Sequence, residues 1–138
     1  MGCLKKKIVI LVVEDEAIIR MAAVDMLEQA GFAVVEAADA DSAICMLELR
    51  NDVRAVFTDI NMPGSLDGLR LAHAIRGRWP PIHLILTSGR LAASEADLPT
   101  NGRFIRKPYR AEDVIGTIHE LLASKPPNRP IEVQNRAA

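Results

Sequence analysis

Ile8-Val9-Ile10-Leu11-Val12-Val13 runs directly into Glu14-Asp15-Glu16, and this junction decides how the rest of the chain is read. A strand with one wet face would alternate apolar and polar residues, whereas an unbroken aliphatic run fits a parallel strand covered on both faces. Acids therefore gather at the carboxyl end of a buried strand. From Ala17 to Ala30 helix formers dominate, Ile18, Ala22 and Leu27 recur near helical period, and Gly31 supplies a stop. The same alternation continues. Phe32 to Ala37 predicts a second strand, Asp39 caps a helix over Ala40 to Leu49, and Ala55 to Thr58 forms a third strand ending at Asp59.

Beyond Asp59, Asn61-Met62-Pro63-Gly64 predicts a turn, Leu66 to Arg76 a third helix and Ile82 to Thr87 a fourth strand. A fourth helix over Leu91 to Ala96 is weak, since Pro99 blocks its continuation. Arg103 to Arg106 predicts strand five. Val114, Ile115, Ile118, Leu121 and Leu122 place an apolar stripe on a last helix. Residues 7–123 are thus expected to be one domain and residues 124–138, rich in proline and polar residues, a flexible tail.

Composition narrows the function classes. The 138 residues are 49% hydrophobic and 25% charged with net charge -1, a balance that folds as a globule and lacks the basic field that holds nucleic acid. Cys3 and Cys45 are too few for a disulfide framework, and Cys45 is expected to be a buried thiol in a reducing cytoplasm. The aliphatic run is far shorter than the roughly 20 residues of a membrane helix. At the start, Met1-Gly2-Cys3 resembles a lipidation signal, but Lys6 stands where Ser or Thr belongs.

Alternating strands and helices imply a parallel sheet with helices on both faces, which binds ligands beyond the carboxyl ends of its strands. Those ends carry Glu14 and Asp15, then Asp59, then Thr87 and Ser88, then Lys107. Three carboxylates repel one another unless a cation joins them. An all-oxygen set suits Mg²⁺, with no His or Cys there to favour zinc or iron. Lys107 can neutralise the acids or meet phosphoryl oxygens, and Thr87 adds a donor. Phosphoryl transfer needs an acceptor oxygen, a metal, a cation and donors for the equatorial oxygens. Asp59, alone on the central strand, is the best acceptor candidate.

Val13-Glu14-Asp15-Glu16, Asp59-Ile60-Asn61-Met62-Pro63-Gly64, Thr87-Ser88-Gly89 and Lys107-Pro108, in that order at successive strand ends, resemble the signature of the response-regulator receiver family. The resemblance implies a flavodoxin-like, doubly wound five-stranded parallel sheet in the order 2-1-3-4-5. It further implies Mg²⁺ held by Asp15, Asp59 and the backbone carbonyl of Asn61, with Glu14 acting through water. Asp59 becomes the phosphoacceptor, Thr87 follows the phosphoryl group, Lys107 pairs with it and Pro108 follows a cis bond. Phe104 takes the switch-aromatic position, the alternative being a plain core aromatic.

By the same resemblance the chain is a cytoplasmic phosphorelay switch that catalyses its own phosphorylation and slow dephosphorylation. Its donor is a sensor histidine kinase or histidine phosphotransfer protein and its output a protein target, with homodimerisation on phosphorylation left open. Neither nucleic acid nor membrane is expected as a direct partner. Three competing readings are a fragment of a longer transcriptional regulator, a non-phosphorylated binding module and a phosphohydrolase, the last lacking an aspartate where Asn61 stands. Two loops depart from the family pattern: the segment from Asp59 to Gly68 is one residue longer than usual, and the segment from Thr87 to Lys107 is shorter than usual. Of the remaining residues, His73 and His119 are expected in solvent, His83 as a strand residue with a satisfied nitrogen, Trp79 over the lower end of the sheet, and Asp67 at a helix start.

Overall fold

The computed structural model describes residues 6–60, 68–89, 99 and 101–124. Five parallel strands, β1 (Val9–Val13), β2 (Ala33–Ala37), β3 (Val53–Asp59), β4 (His83–Ser88) and β5 (Arg103–Arg106), lie in the order β2-β1-β3-β4-β5. Four helices are described: α1 (Ala17–Gln29), α2 (Ala40–Leu49), α3 (Gly68–Arg78) and α4 (Ala111–Ala123). The last is the fifth helix of the sequence reading, because the weak fourth one over Leu91 to Ala96 falls outside the described residues. So do Met1 to Cys3, the long loop after Asp59 with Asn61 and Asp67, and residues 125–138.

All five residues of β1 are buried, as an aliphatic run without alternation requires. Their side chains divide between two cores. Val9, Leu11 and Val13 join Leu47, Leu71 and Ile75 beneath α2 and α3, while Ile10 and Val12 join Leu27, Val114 and Ile118 beneath α1 and α4. Each fully buried Leu or Ile contributes roughly 1.5–3 kcal/mol, so this two-sided burial is what stabilises the placement of β1 between its neighbours. The carboxyl ends of β1, β3 and β4 are fixed in the process.

Local chemistry sets the helix ends. Gly31 has φ +98°, and its N–H donates to the Glu28 carbonyl at 3.0 Å while Phe32 N–H donates to that of Leu27 at 3.1 Å, the pattern of a Schellman stop. Asp39 caps α2 by accepting from Ser42 N–H at 2.7 Å. Packing selects among the readings here and corrects one of them. Of the periodic apolar residues of α1, Leu27 is buried together with Ala23 while Ile18 and Ala22 face solvent, since one helix face alone can meet the sheet. Cys45 is exposed, because the buried face of α2 is taken by Ala40, Ala43 and Leu47.

Candidate functional site at the carboxyl ends of the strands

Register brings the site together. Asp59 and Thr87 are Cα partners at the ends of β3 and β4, so their side chains leave the sheet on the same face, side by side. The Ile60 N–H donates to the Thr87 carbonyl at 2.9 Å and the Lys107 N–H to the Ser88 carbonyl at 3.0 Å, which carries the chain from each strand end to the next. Glu14, at the end of β1, donates its N–H to the Ala37 carbonyl at 3.1 Å. Lys107 precedes a cis bond to Pro108.

Carboxylate oxygens of Glu14, Asp15 and Asp59 lie within 4.8 Å of one another. Glu14 and Asp59 are buried and Asp15 is exposed, so the cluster has a deep side and an open one. Lys107 Nζ bridges the deep pair, 3.3 Å from Asp59 Oδ2 and 3.6 Å from Glu14 Oε1. Burial would pull the Lys107 pKa down, but Asp59 and Glu14 outweigh it and hold the ammonium charged. Burial pushes the Glu14 carboxyl above its ordinary 4.5, aided by Asp59 and Asp15 and opposed by the Glu16 N–H and Lys107. With every carboxylate ionised, one ammonium against three of them leaves two negative charges uncompensated. That surplus, offered entirely by oxygen atoms, fits a hard divalent cation.

Beside the acids stands Thr87, 3% exposed, whose Oγ1 has no hydrogen-bond partner among the described residues. Such an orphan hydroxyl costs free energy in the resting protein and marks a place for an acceptor oxygen. Phe104 does not join this group. It is the Cα partner of Leu86, so strand alternation sends its ring to the face of the α2 and α3 core, where it packs half-buried. Asn61 lies outside the described residues.

Two contributors carried no legible signal as such. Arg20, one turn into α1, donates to the Glu14 backbone carbonyl at 2.8 Å and to Glu36 Oε1 at 3.0 Å, tying the ends of β1 and β2 together. In sequence it reads as a solvated helix residue. Gly68 begins α3 with its Cα against the end of β3: a Cβ there would collide with the Asp59 carbonyl oxygen and come within 2.7 Å of Ile60 Cα. Only its position after a Pro-Gly turn could have drawn attention to it. Tyr109, two residues after Lys107, packs edge-on to Phe57 with ring centroids 5.7 Å apart.

Comparison with known proteins agrees with this geometry. The profile of the response regulator receiver domain matches residues 10–119. The sensor kinase CckA of Brucella abortus is 35% identical over 82% of this chain and 12% of its own length. From the same organism, the response regulator receiver protein CpdR is 28% identical over 82% of this chain and 95% of its own. A response regulator receiver protein from Sinorhizobium medicae superposes with a TM-score of 0.81 at 28% identity, covering 86% of this chain and 97% of that one. Against the first five curated relatives the chain spans only 12% to 57% of their length. Among the described residues no helix is long and apolar enough to cross a membrane. A doubly wound sheet in the order 2-1-3-4-5, an acidic cluster at its carboxyl edge and a family profile over most of its length together establish that this chain belongs to the receiver-domain family of two-component response regulators.

Proposed function

We propose that Asp59 is the phosphoacceptor of this receiver and that residues 7–123 form the folded switch, with residues 124–138 a tail outside it. The observation that carries the proposal is the bridge from Lys107 Nζ to Asp59 Oδ2 and Glu14 Oε1 beside a Thr87 hydroxyl that has no partner among the described residues. An Asp59 oxygen attacks the phosphorus of a phosphohistidine, a P–O bond forms as the P–N bond breaks, and the leaving imidazole nitrogen keeps the electron pair. Lys107 is placed to meet the charge on the transferred group, and Thr87 Oγ1 to donate to one of its oxygens. Glu14, Asp15 and Asp59, with the Asn61 backbone carbonyl, would hold Mg²⁺, which when bound offsets negative charge on both the acids and the phosphoryl group.

The donor is a sensor histidine kinase or a histidine phosphotransfer protein, which places the reaction in the cytoplasm. α1 begins directly after the acids and exposes Ile18 by 81% and Met21 by 65%, an apolar step next to the acceptor suited to a protein donor rather than a small one alone. Occupying the Thr87 hydroxyl satisfies its missing bond and shifts a pre-existing equilibrium in which Phe104 on β5 takes part, altering the surface read by a protein target. The protein catalyses its own phosphorylation and slow dephosphorylation rather than turning over an external substrate.

The test is radiolabelled phosphotransfer from a phosphorylated histidine kinase in Mg²⁺ buffer. Wild type is expected to acquire acid-labile, hydroxylamine-sensitive label and Asp59→Asn none; undiminished labelling of the variant would sink the proposal.

A further inference from the structure

At the opposite end of the sheet from the acids, beneath the amino ends of β3 and β4, lies a cavity of about 620 Å³. Leu47, Leu49, Arg50, Arg54, Trp79 and His83 line it. Its volume falls within the roughly 300–1,000 Å³ of small-molecule sites. The polar lining is unusually one-sided in its pairing. Arg50 is held by both oxygens of Asp52, at 2.9 and 2.8 Å, and Glu48 is held by Arg78 at 2.8 Å. Arg54 is exposed and has no carboxylate partner among the described residues.

His83, at the start of β4, is 4% exposed, and its ring nitrogens make no side-chain hydrogen bond to the described residues yet are not sealed from solvent. Burial first, then the charges of Arg54 and Arg76, hold its protonation below the ordinary 6.5. Arg76 is itself buried, with Nη1 donating to the carbonyls of Pro80 and Ile82 at 2.7 Å each. A positive potential thus surrounds an imidazole that has a donor to give, and the paired Glu48 and Asp52 are occupied elsewhere. The apolar half of the lining comes from Leu47, buried, from Leu49, 85% exposed, and from half-buried Trp79, whose ring has the Arg78 guanidinium 4.4 Å from its centroid.

We propose that this cavity binds a small organic anion with a planar apolar body, its head group taken by Arg54 and His83 and its body laid against Trp79 and Leu49. Carboxylate and phosphate-ester heads share the required chemistry: a negative charge and acceptor oxygens for a guanidinium and an imidazole N–H. Such a ligand would satisfy His83 and Arg54 together, which water does only by leaving the Arg54 charge without a counterion. The cavity is separate from the acceptor site, so the inference stands or falls without the phosphotransfer reading.

Trp79 is the single tryptophan of the chain, so its emission reports on the cavity. Titration of the full chain with benzoate and with phenyl phosphate, at constant ionic strength, is expected to give a saturable change with Kd on the order of 1 mM or tighter for at least one of them. Saturation is expected to move the His83 ring titration upward by NMR. Arg54→Gln, at an exposed position and with the wild-type thermal midpoint, is expected to bind about tenfold more weakly. Benzoate alone saturating assigns a carboxylate ligand, and phenyl phosphate alone a phosphate ester; either supports the site. No saturable response to either probe, equal affinity in Arg54→Gln, or inorganic phosphate binding as tightly as phenyl phosphate would overturn it.

Discussion

At the scale of single residues, the candidate site keeps a group that the resting fold would be more stable without. Thr87 carries it. Its hydroxyl is buried without a described partner, so Thr87→Val, which keeps the shape and suits a strand, is expected to stabilise the protein by about 1 kcal/mol in urea denaturation. The same variant is expected to accept label yet lose the phosphorylation-dependent surface change; destabilisation on this substitution would show that the hydroxyl is already satisfied. His83 supports a second prediction. Its folded pKa is depressed, chiefly by burial, so the neutral form stabilises the fold fully above the ordinary 6.5. That contribution is lost as pH falls from 6.5 through the lower folded value. Denaturation midpoints are therefore expected to fall between pH about 7 and about 5, with a shallower slope in His83→Gln. Glu14, Asp15, Asp59, Thr87 and Lys107 were all legible in sequence, because each sits at the sharp end of a strand pattern. Arg20 and Gly68 were not, since one acts through a backbone carbonyl on another element and the other through the side chain it lacks.

Among the elements, ends were more readable than faces. Gly31 was assigned as the stop of α1 from its residue type alone, and its φ of +98° bears that out. No atom lies within 4 Å of where its Cβ would be, so Gly31→Ala tests backbone strain without a clash. The substitution is expected to cost about 1–2 kcal/mol in denaturant titration, the left-handed penalty of an L-residue. A cost near zero would mean that the turn relaxes to another conformation. The periodic pattern left open which face of α1 is buried. Ile18 and Ala22 are as apolar as the core positions Ala23 and Leu27, so periodicity could not choose between two greasy stripes, and only the sheet beneath decides. The stripe left over, with Ile18 and Met21, stays exposed.

For the whole molecule, the proposed cation site at the acidic edge would link function to stability. Mg²⁺ at a hundredfold excess over its dissociation constant is expected to raise the unfolding free energy by about 2.7 kcal/mol, read as a higher thermal midpoint than in sodium salt of equal ionic strength. Asp15→Asn is expected to lose that rise, and an undiminished rise in the variant would take Asp15 out of the cation site. Sequence by itself determined the class of this protein: aliphatic runs alternating with amphipathic stretches require a two-sided parallel sheet, and the residues ending those runs are acids, hydroxyls and a lysine. Strand order entered only through family resemblance, because hydrophobic pattern says that a strand is buried but not beside which neighbour. Tertiary structure alone decided that Lys107 bridges Asp59 and Glu14 across 48 and 93 residues of chain, that Phe104 faces away from them, and that Arg54, Trp79 and His83 share a cavity at the far end. Distances between residues far apart in the chain follow from register and packing, which no local pattern encodes.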